Sequence, residues 1–87
     1  MESVSDRDMD KEILRAGIIA EYDAINLYEQ MASLANSEDI RKVMLDVAKE
    51  EKEHVGEFQT LLLRLDHEQV EEMEGGKTEV EEMTGKR

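Results

Sequence analysis

The chain has 87 residues, no cysteine and no proline, and 23 acidic against 11 basic residues, a formal net charge of −12. A single small domain of this length buries too little surface to have much stability to spare, and without cysteine the staples left to it are self-association and a metal held by oxygen or nitrogen ligands. The charge repels nucleic acid and anionic lipid, no apolar run approaches the roughly eighteen residues of a membrane span, and the acidic start MESVSDRDMDKE lacks the basic-then-apolar order of a signal peptide, so we expect a soluble cytoplasmic protein with no nucleic-acid and no membrane partner.

Abundant Glu, Lys, Leu, Met and Ala, with two tyrosines and one phenylalanine as the whole aromatic content, favour helix throughout, because these side chains lose little rotamer freedom there. Acidity of this degree also suits a disordered chain, but the periodicity argues otherwise. From about Asp6 to Ala35 one seam reads Leu14, Ile18, Glu21, Ile25, Tyr28, Ala32, Ala35, in alternating steps of four and three. A second seam on the adjoining face reads Ile13, Gly17, Ala20, Ala24, Leu27, Met31, Leu34. The apolar face is therefore broader than a two-stranded coil needs, and the first helix should meet more than one neighbour.

Asn36-Ser37-Glu38-Asp39 reads as a break, with Asn36 suited to a left-handed C-terminal position and Ser37 to the N-cap of the next helix. The second helix is predicted from about Glu38 to Leu65, with the seam Ile40, Met44, Val47, Glu51, His54, Phe58, Leu61, Leu65. So short a linker between two long helices makes them an antiparallel hairpin. Asp66, with Gln69 three residues on, is placed to cap a short third helix ending near Gly75-Gly76, and Thr78-x-x-Glu81 to start a further turn. The expected organisation is a helical unit over 1–74 and a polar tail or linker over 75–87.

Polar residues interrupt the seams at few places, and those are Glu21 and Tyr28 on the first helix and Glu51 and His54 on the second. Glu21 and Tyr28, seven apart, share a face about 10 Å apart along the axis, and Glu51 and His54, three apart, also share one. A carboxylate in an apolar seam takes up a proton or requires a cation or hydrogen-bonded partner. A bridging Glu together with Glu-x-x-His is the set with which helical bundles hold two iron or manganese ions, each full site taking both elements twice. This chain has each once, so two copies related by a twofold axis would complete the set and bury the open seam at the same time.

Each residue has a plainer reading. A register slip of one would make Glu21 a solvated rim charge, and an isolated His54 would be an ordinary core or surface histidine. Its place three residues after Glu51 and opposite Glu21 tips the balance toward metal ligation. Tyr28 fits packing as well as a place beside the ligands. Lys49-Glu50-Glu51-Lys52-Glu53 is a solvated run apart from Glu51, His67 falls in a loop without a role, and the six methionines read as core filler.

With Glu21-x6-Tyr28 and Glu51-Lys52-Glu53-His54 in place, the chain resembles the encapsulated ferritins over roughly residues 10 to 73. The stretches Ala20-Glu21-Tyr22-Asp23-Ala24-Ile25-Asn26-Leu27-Tyr28-Glu29-Gln30 and Glu50-Glu51-Lys52-Glu53-His54-Val55-Gly56-Glu57-Phe58 carry the resemblance, especially to archaeal members, some of which are fused to a shell protein. The resemblance implies an all-α fold, an antiparallel two-helix hairpin plus a short C-terminal helix that forms a ferritin-like four-helix arrangement only on dimerisation. It implies a ferroxidase oxidising Fe(II) to Fe(III), with a di-iron centre shared between two chains, Glu21, Glu51 and His54 as ligands and Tyr28 nearby. It also implies a homodimer, a decameric ring of five dimers, and an encapsulin nanocompartment whose shell protein is the partner and whose interior stores the iron. Family members carry acidic residues and a tryptophan as an iron-uptake point, where this chain has Ala20 and Leu27, with Asp23 as the remnant. The polar tail Glu79 to Arg87 is unlike the family's apolar targeting peptide and resembles the linker of a fused protein.

Two other functions fit part of the pattern. A non-catalytic helical oligomerisation module would use the seam polars only to fix register. A rubrerythrin-like di-iron peroxidase is disfavoured by the missing cysteines and the single Glu-x-x-His.

Overall fold

The computed structural model describes residues 6–87; the first five residues of the acidic stretch weighed above as a signal peptide lie outside the described residues. Three α-helices follow in order, α1 (Asp6–Leu34), α2 (Glu38–Leu65) and α3 (His67–Thr84), and no strand occurs among the described residues. Contacts run in opposite order along the first two: Arg41 reaches Ala32, His54 reaches Glu21, Phe58 faces Gly17 and Asp66 holds Arg15. Residue numbers rise on α2 as they fall on α1, which makes the pair the expected antiparallel hairpin. No helix among the described residues is long and apolar enough to cross a membrane.

The hairpin packs on two rows of residues spaced by seven, Ile25 and Ala32 on α1 and Ala48, Val55 and Leu62 on α2. Seven residues make about two helical turns, so each row is a stripe on one face. The α1 row falls within its expected seam, whose other members are half-buried. On α2 the buried row lies one position after Val47, His54 and Leu61 of the expected seam. Ala32 and Ala48 are small enough to let the helix axes approach, and the larger seam residues of α2 spread to the flank of the contact. Met44, Val47, Glu51, His54, Phe58 and Leu65 are accordingly half-buried, while Ile40 and Leu61 are exposed.

The turn between α1 and α2 departs from expectation at Asn36, since no non-glycine residue among those described has a positive φ. Arg41 supplies what a left-handed residue would have supplied. Its Nε donates to the Ala32 carbonyl at 3.1 Å and its Nη2 to the Ala35 carbonyl at 2.7 Å, while the guanidinium also pairs with Glu38. Two carbonyls at the end of α1 and just past it are thereby bonded from the next helix. Ser37 is the expected N-cap of α2, with extended φ −86° and ψ 128° and its hydroxyl oxygen accepting from the Ile40 N–H at 3.3 Å.

Asp66 caps α3 as expected, its Oδ1 accepting from the Gln69 N–H at 3.0 Å. The end expected near Gly75-Gly76 is not there: α3 runs without interruption to Thr84. Each glycine costs about 1 kcal/mol of helix propensity, but neither removes a backbone N–H, so the ladder continues through them. The stop comes at Gly85, whose left-handed φ of 68° lets its N–H donate to the Glu81 carbonyl at 2.9 Å. Thr78 starts no new turn, because its hydroxyl bonds backward to the Glu74 carbonyl at 3.1 Å. Among the described residues α1 lies against α2, whereas α3 meets α2 alone and buries no residue.

Candidate metal centre

Glu21 lies midway along α1, one turn before the buried Ile25, and Glu51 and His54 lie midway along α2 between Ala48 and Val55. Helical spacing sets Glu51 and His54 on one face, and the antiparallel register brings Glu21 opposite them. His54 Nδ1 is 3.3 Å from Glu21 Oε2 and 3.6 Å from Glu51 Oε2. One ligand atom from each of the three lies within 4.8 Å of the other two, and they form the one such group of three among the described residues. The two carboxylate side chains are 17% and 18% exposed and the imidazole 44%, so the cluster is walled by the hairpin on one side and open through His54 on the other.

The electrostatics of this cluster fit a cation. Two carboxylates, each under a fifth exposed, stand a few ångströms apart, and among the described residues the nitrogen base that reaches each is the His54 imidazole. Lys52 follows Glu51 directly in sequence, yet its ammonium is spent on Glu29 at 3.0 Å, bridging α2 to α1 away from the cluster. Two carboxylates and an imidazole are oxygen and nitrogen donors of the kind that iron and manganese accept.

Of the four candidates from the sequence, the structure brings three together and leaves Tyr28 apart. Tyr28 is half-buried two turns along α1 from Glu21, about 10 Å along the axis. Ala20, Asp23 and Leu27 are all exposed on α1. The Lys52–Glu29 bridge from α2 to α1 was not foreseen, because nothing in a solvated charge run tells which member crosses to the other helix.

Against known proteins, a family model described as rubrerythrin matches residues 12–86. The chain is 66% identical over 74 residues to the ferritin-like-encapsulin shell fusion protein of Pyrococcus furiosus, an overlap covering 85% of this chain and 21% of that protein. It is 43% identical over 56 residues to the encapsulin nanocompartment cargo protein EncC of Myxococcus xanthus, covering 64% of this chain and 43% of that one. The chain thus matches about a fifth of the first relative's length and under half of the second's. The crystal structure of the encapsulated ferritin domain from Pyrococcus furiosus superposes with a TM-score of 0.90 at 58% identity, covering 98% of this chain and 87% of that chain.

Proposed function

The chain belongs to the rubrerythrin family and, within it, to the encapsulated ferritins, and from that premise we propose that it is a ferroxidase, oxidising Fe(II) to Fe(III) at a di-iron centre shared by two copies. The observation that carries the reading is the convergence of Glu21, Glu51 and His54 within 4.8 Å, with no lysine or arginine paired to either carboxylate among the described residues. Bound iron would supply the one-electron chemistry, with dioxygen as the acceptor.

The residues have separable tasks. Glu21, facing α2 from across the hairpin, and Glu51 with His54 would hold the metal from the two helices, and the second copy would repeat the set. Tyr28, two turns along α1 from Glu21, lies outside the cluster of a single chain, and its hydroxyl would serve as a donor beside the site only with the second copy in place. The acidic surface, with a formal charge of −12, draws Fe(II) toward the centre.

Surface area supports the second copy independently of ligand count. The chain exposes 7137 Å², whereas a folded monomer of 10.0 kDa exposes about 5,200 Å². Ile13, Leu27 and Leu34 on the second seam of α1 are 60%, 50% and 80% exposed, so an apolar face remains to be covered. Dimers sharing the centre would assemble further, as a ring of five, inside an encapsulin shell in the cytoplasm, where the ferric product is stored. The names of the two relatives, one fused to an encapsulin shell and one its cargo, support that placement.

The test is aerobic addition of Fe(II) to the wild-type protein and to Glu21→Ala, Glu51→Ala and His54→Ala, following ferric absorbance and particle mass. Each substitution should abolish oxidation above the uncatalysed rate; undiminished oxidation in all three would sink the assignment. A parallel arm with hydrogen peroxide as acceptor addresses the rubrerythrin description of the family, and faster turnover with peroxide than with dioxygen would make the protein a peroxidase.

A further inference from the structure

Three helices meet on one side chain. Asp66 is the single non-helical residue between α2 and α3, with φ −126° and ψ 87°. Its N–H donates to the Leu62 carbonyl at 3.0 Å and so completes the last turn of α2, which its non-helical φ and ψ then end. Its Oδ1 starts α3 by accepting from the Gln69 N–H at 3.0 Å, and its Oδ2 takes the Arg15 guanidinium of α1 at 2.9 Å. Lys11, one turn before Arg15, adds a second positive charge facing the same carboxylate.

Side-chain burial does little to fix the direction of α3. The helix buries no residue and has no backbone approach to α1. The inside of the elbow is an open groove lined by Ile18, Ile19, Leu63 and Met73, where a packed seam would hold the angle by itself. We propose that Arg15 and Asp66 form an electrostatic latch that sets the angle of α3 to the hairpin, and that α3 is an arm freed when the latch is screened or broken. The Arg15 side chain is 49% exposed, so mobile ions reach one side of the pair. Asp66 is 11% exposed and stays in place through its two backbone bonds, which leaves Arg15 as the moving half of the latch.

The absence of native cysteine permits a direct measurement. Cysteines introduced at the exposed positions Glu57 on α2 and Glu82 on α3 would carry spin labels, with the labelled chains diluted in excess unlabelled protein so that only distances within one chain are read. At low salt the wild-type background should give one narrow distance. About 1 M salt should broaden it, and Arg15→Gln and Asp66→Asn should broaden it at low salt, with circular dichroism showing the helices retained. Asparagine caps a helix as well as aspartate does, so the second variant removes the charge and keeps the start of α3. A distribution that stays narrow in high salt and in both variants would show that packing sets the angle; one already broad in the wild type at low salt would show that there is no latch. Either result overturns the proposal.

Discussion

His54 Nδ1 lies 3.3 Å from Glu21 Oε2, a contact between residues 33 positions apart that ties the middle of α2 to the middle of α1. The contact joins the two halves of the candidate ligand set, so a metal bound there would bond to both helices at once. Binding energy to a site that exists only in the folded state is folding energy. Fe(II) under anaerobic conditions, or Mn(II), should therefore raise the melting temperature of the wild-type protein. At a free metal concentration a hundred times the dissociation constant the gain is about 2.7 kcal/mol per site. Glu51→Gln keeps the shape and removes a ligand charge, and its melting temperature should be unmoved by either ion; calorimetry with and without metal checks both.

The joint at Asp66 predicts an acid-range effect of defined sign. The Gln69 backbone N–H and then the Arg15 side chain hold the Asp66 carboxyl below its ordinary value of 3.8, against the opposing effect of desolvation. A group whose folded-state value is depressed stabilises the fold above its unfolded value, and that contribution is lost as pH falls through the folded value. Urea midpoints of the wild type should fall as pH drops below about 4, and Asp66→Asn should reduce that fall while lowering stability at neutral pH. An unchanged acid slope in the variant would remove Asp66 from the account.

The elements that were legible in the sequence are those set by local chemistry. Heptad spacing marked the extents of α1 and α2 and the buried face of α1, and Ser37 and Asp66 marked helix starts because a short polar side chain reaches its own backbone three residues on. The convergence of Glu21, Glu51 and His54 was legible because polar residues in an apolar seam stand out. What escaped depended on contacts distant in sequence. Arg41 displaced Asn36 as the terminator of α1 by reaching back nine residues to the Ala32 carbonyl, and the α2 contact row shifted to Ala48 because alanine permits close approach. Gly75-Gly76 looked like a stop, yet a glycine stops a helix where it turns left-handed, and here Gly85 does so.

Gly17 offers a test of packing next to the candidate centre. A methyl group there would sit 3.2 Å from Cδ2 and Cε2 of Phe58, tighter than ordinary carbon contact. Alanine gains about 1 kcal/mol of helix propensity over glycine. The half-buried Phe58 ring must give by a few tenths of an ångström, a cost that offsets the propensity gain, so Gly17→Ala should be close to neutral. In a Phe58→Leu background the same change should stabilise by the full propensity difference, about 1 kcal/mol. Gly17→Leu should instead destabilise by about 1–3 kcal/mol through overpacking, and weaken metal binding, because Gly17 and Phe58 each lie one turn from a candidate ligand. Urea denaturation of the series, with metal titration, tests the order; equal effects of Gly17→Ala in the two backgrounds would contradict it.

Gly75 and Gly76 predict that α3 opens separately from the hairpin. Neither has any atom within 4 Å of where a Cβ would stand, and both are exposed in a helix that buries no residue. Isolated helices near this length are marginal in water, and two interior glycines weaken this one by about 2 kcal/mol relative to alanine. Amide hydrogens of α3 in the dilute, metal-free protein should exchange faster than those of α1 and α2, which share a packed contact. Gly75→Ala and Gly76→Ala should each slow exchange within α3 by about fivefold, the equivalent of about 1 kcal/mol, while leaving exchange in the hairpin unchanged. No steric penalty opposes either change, because the added methyl points into open space. Hydrogen exchange read by mass spectrometry at peptide resolution separates the two behaviours. If both substitutions slow the hairpin as much as α3, the three helices open as one cooperative unit, and α3 is held by more than its joint at Asp66.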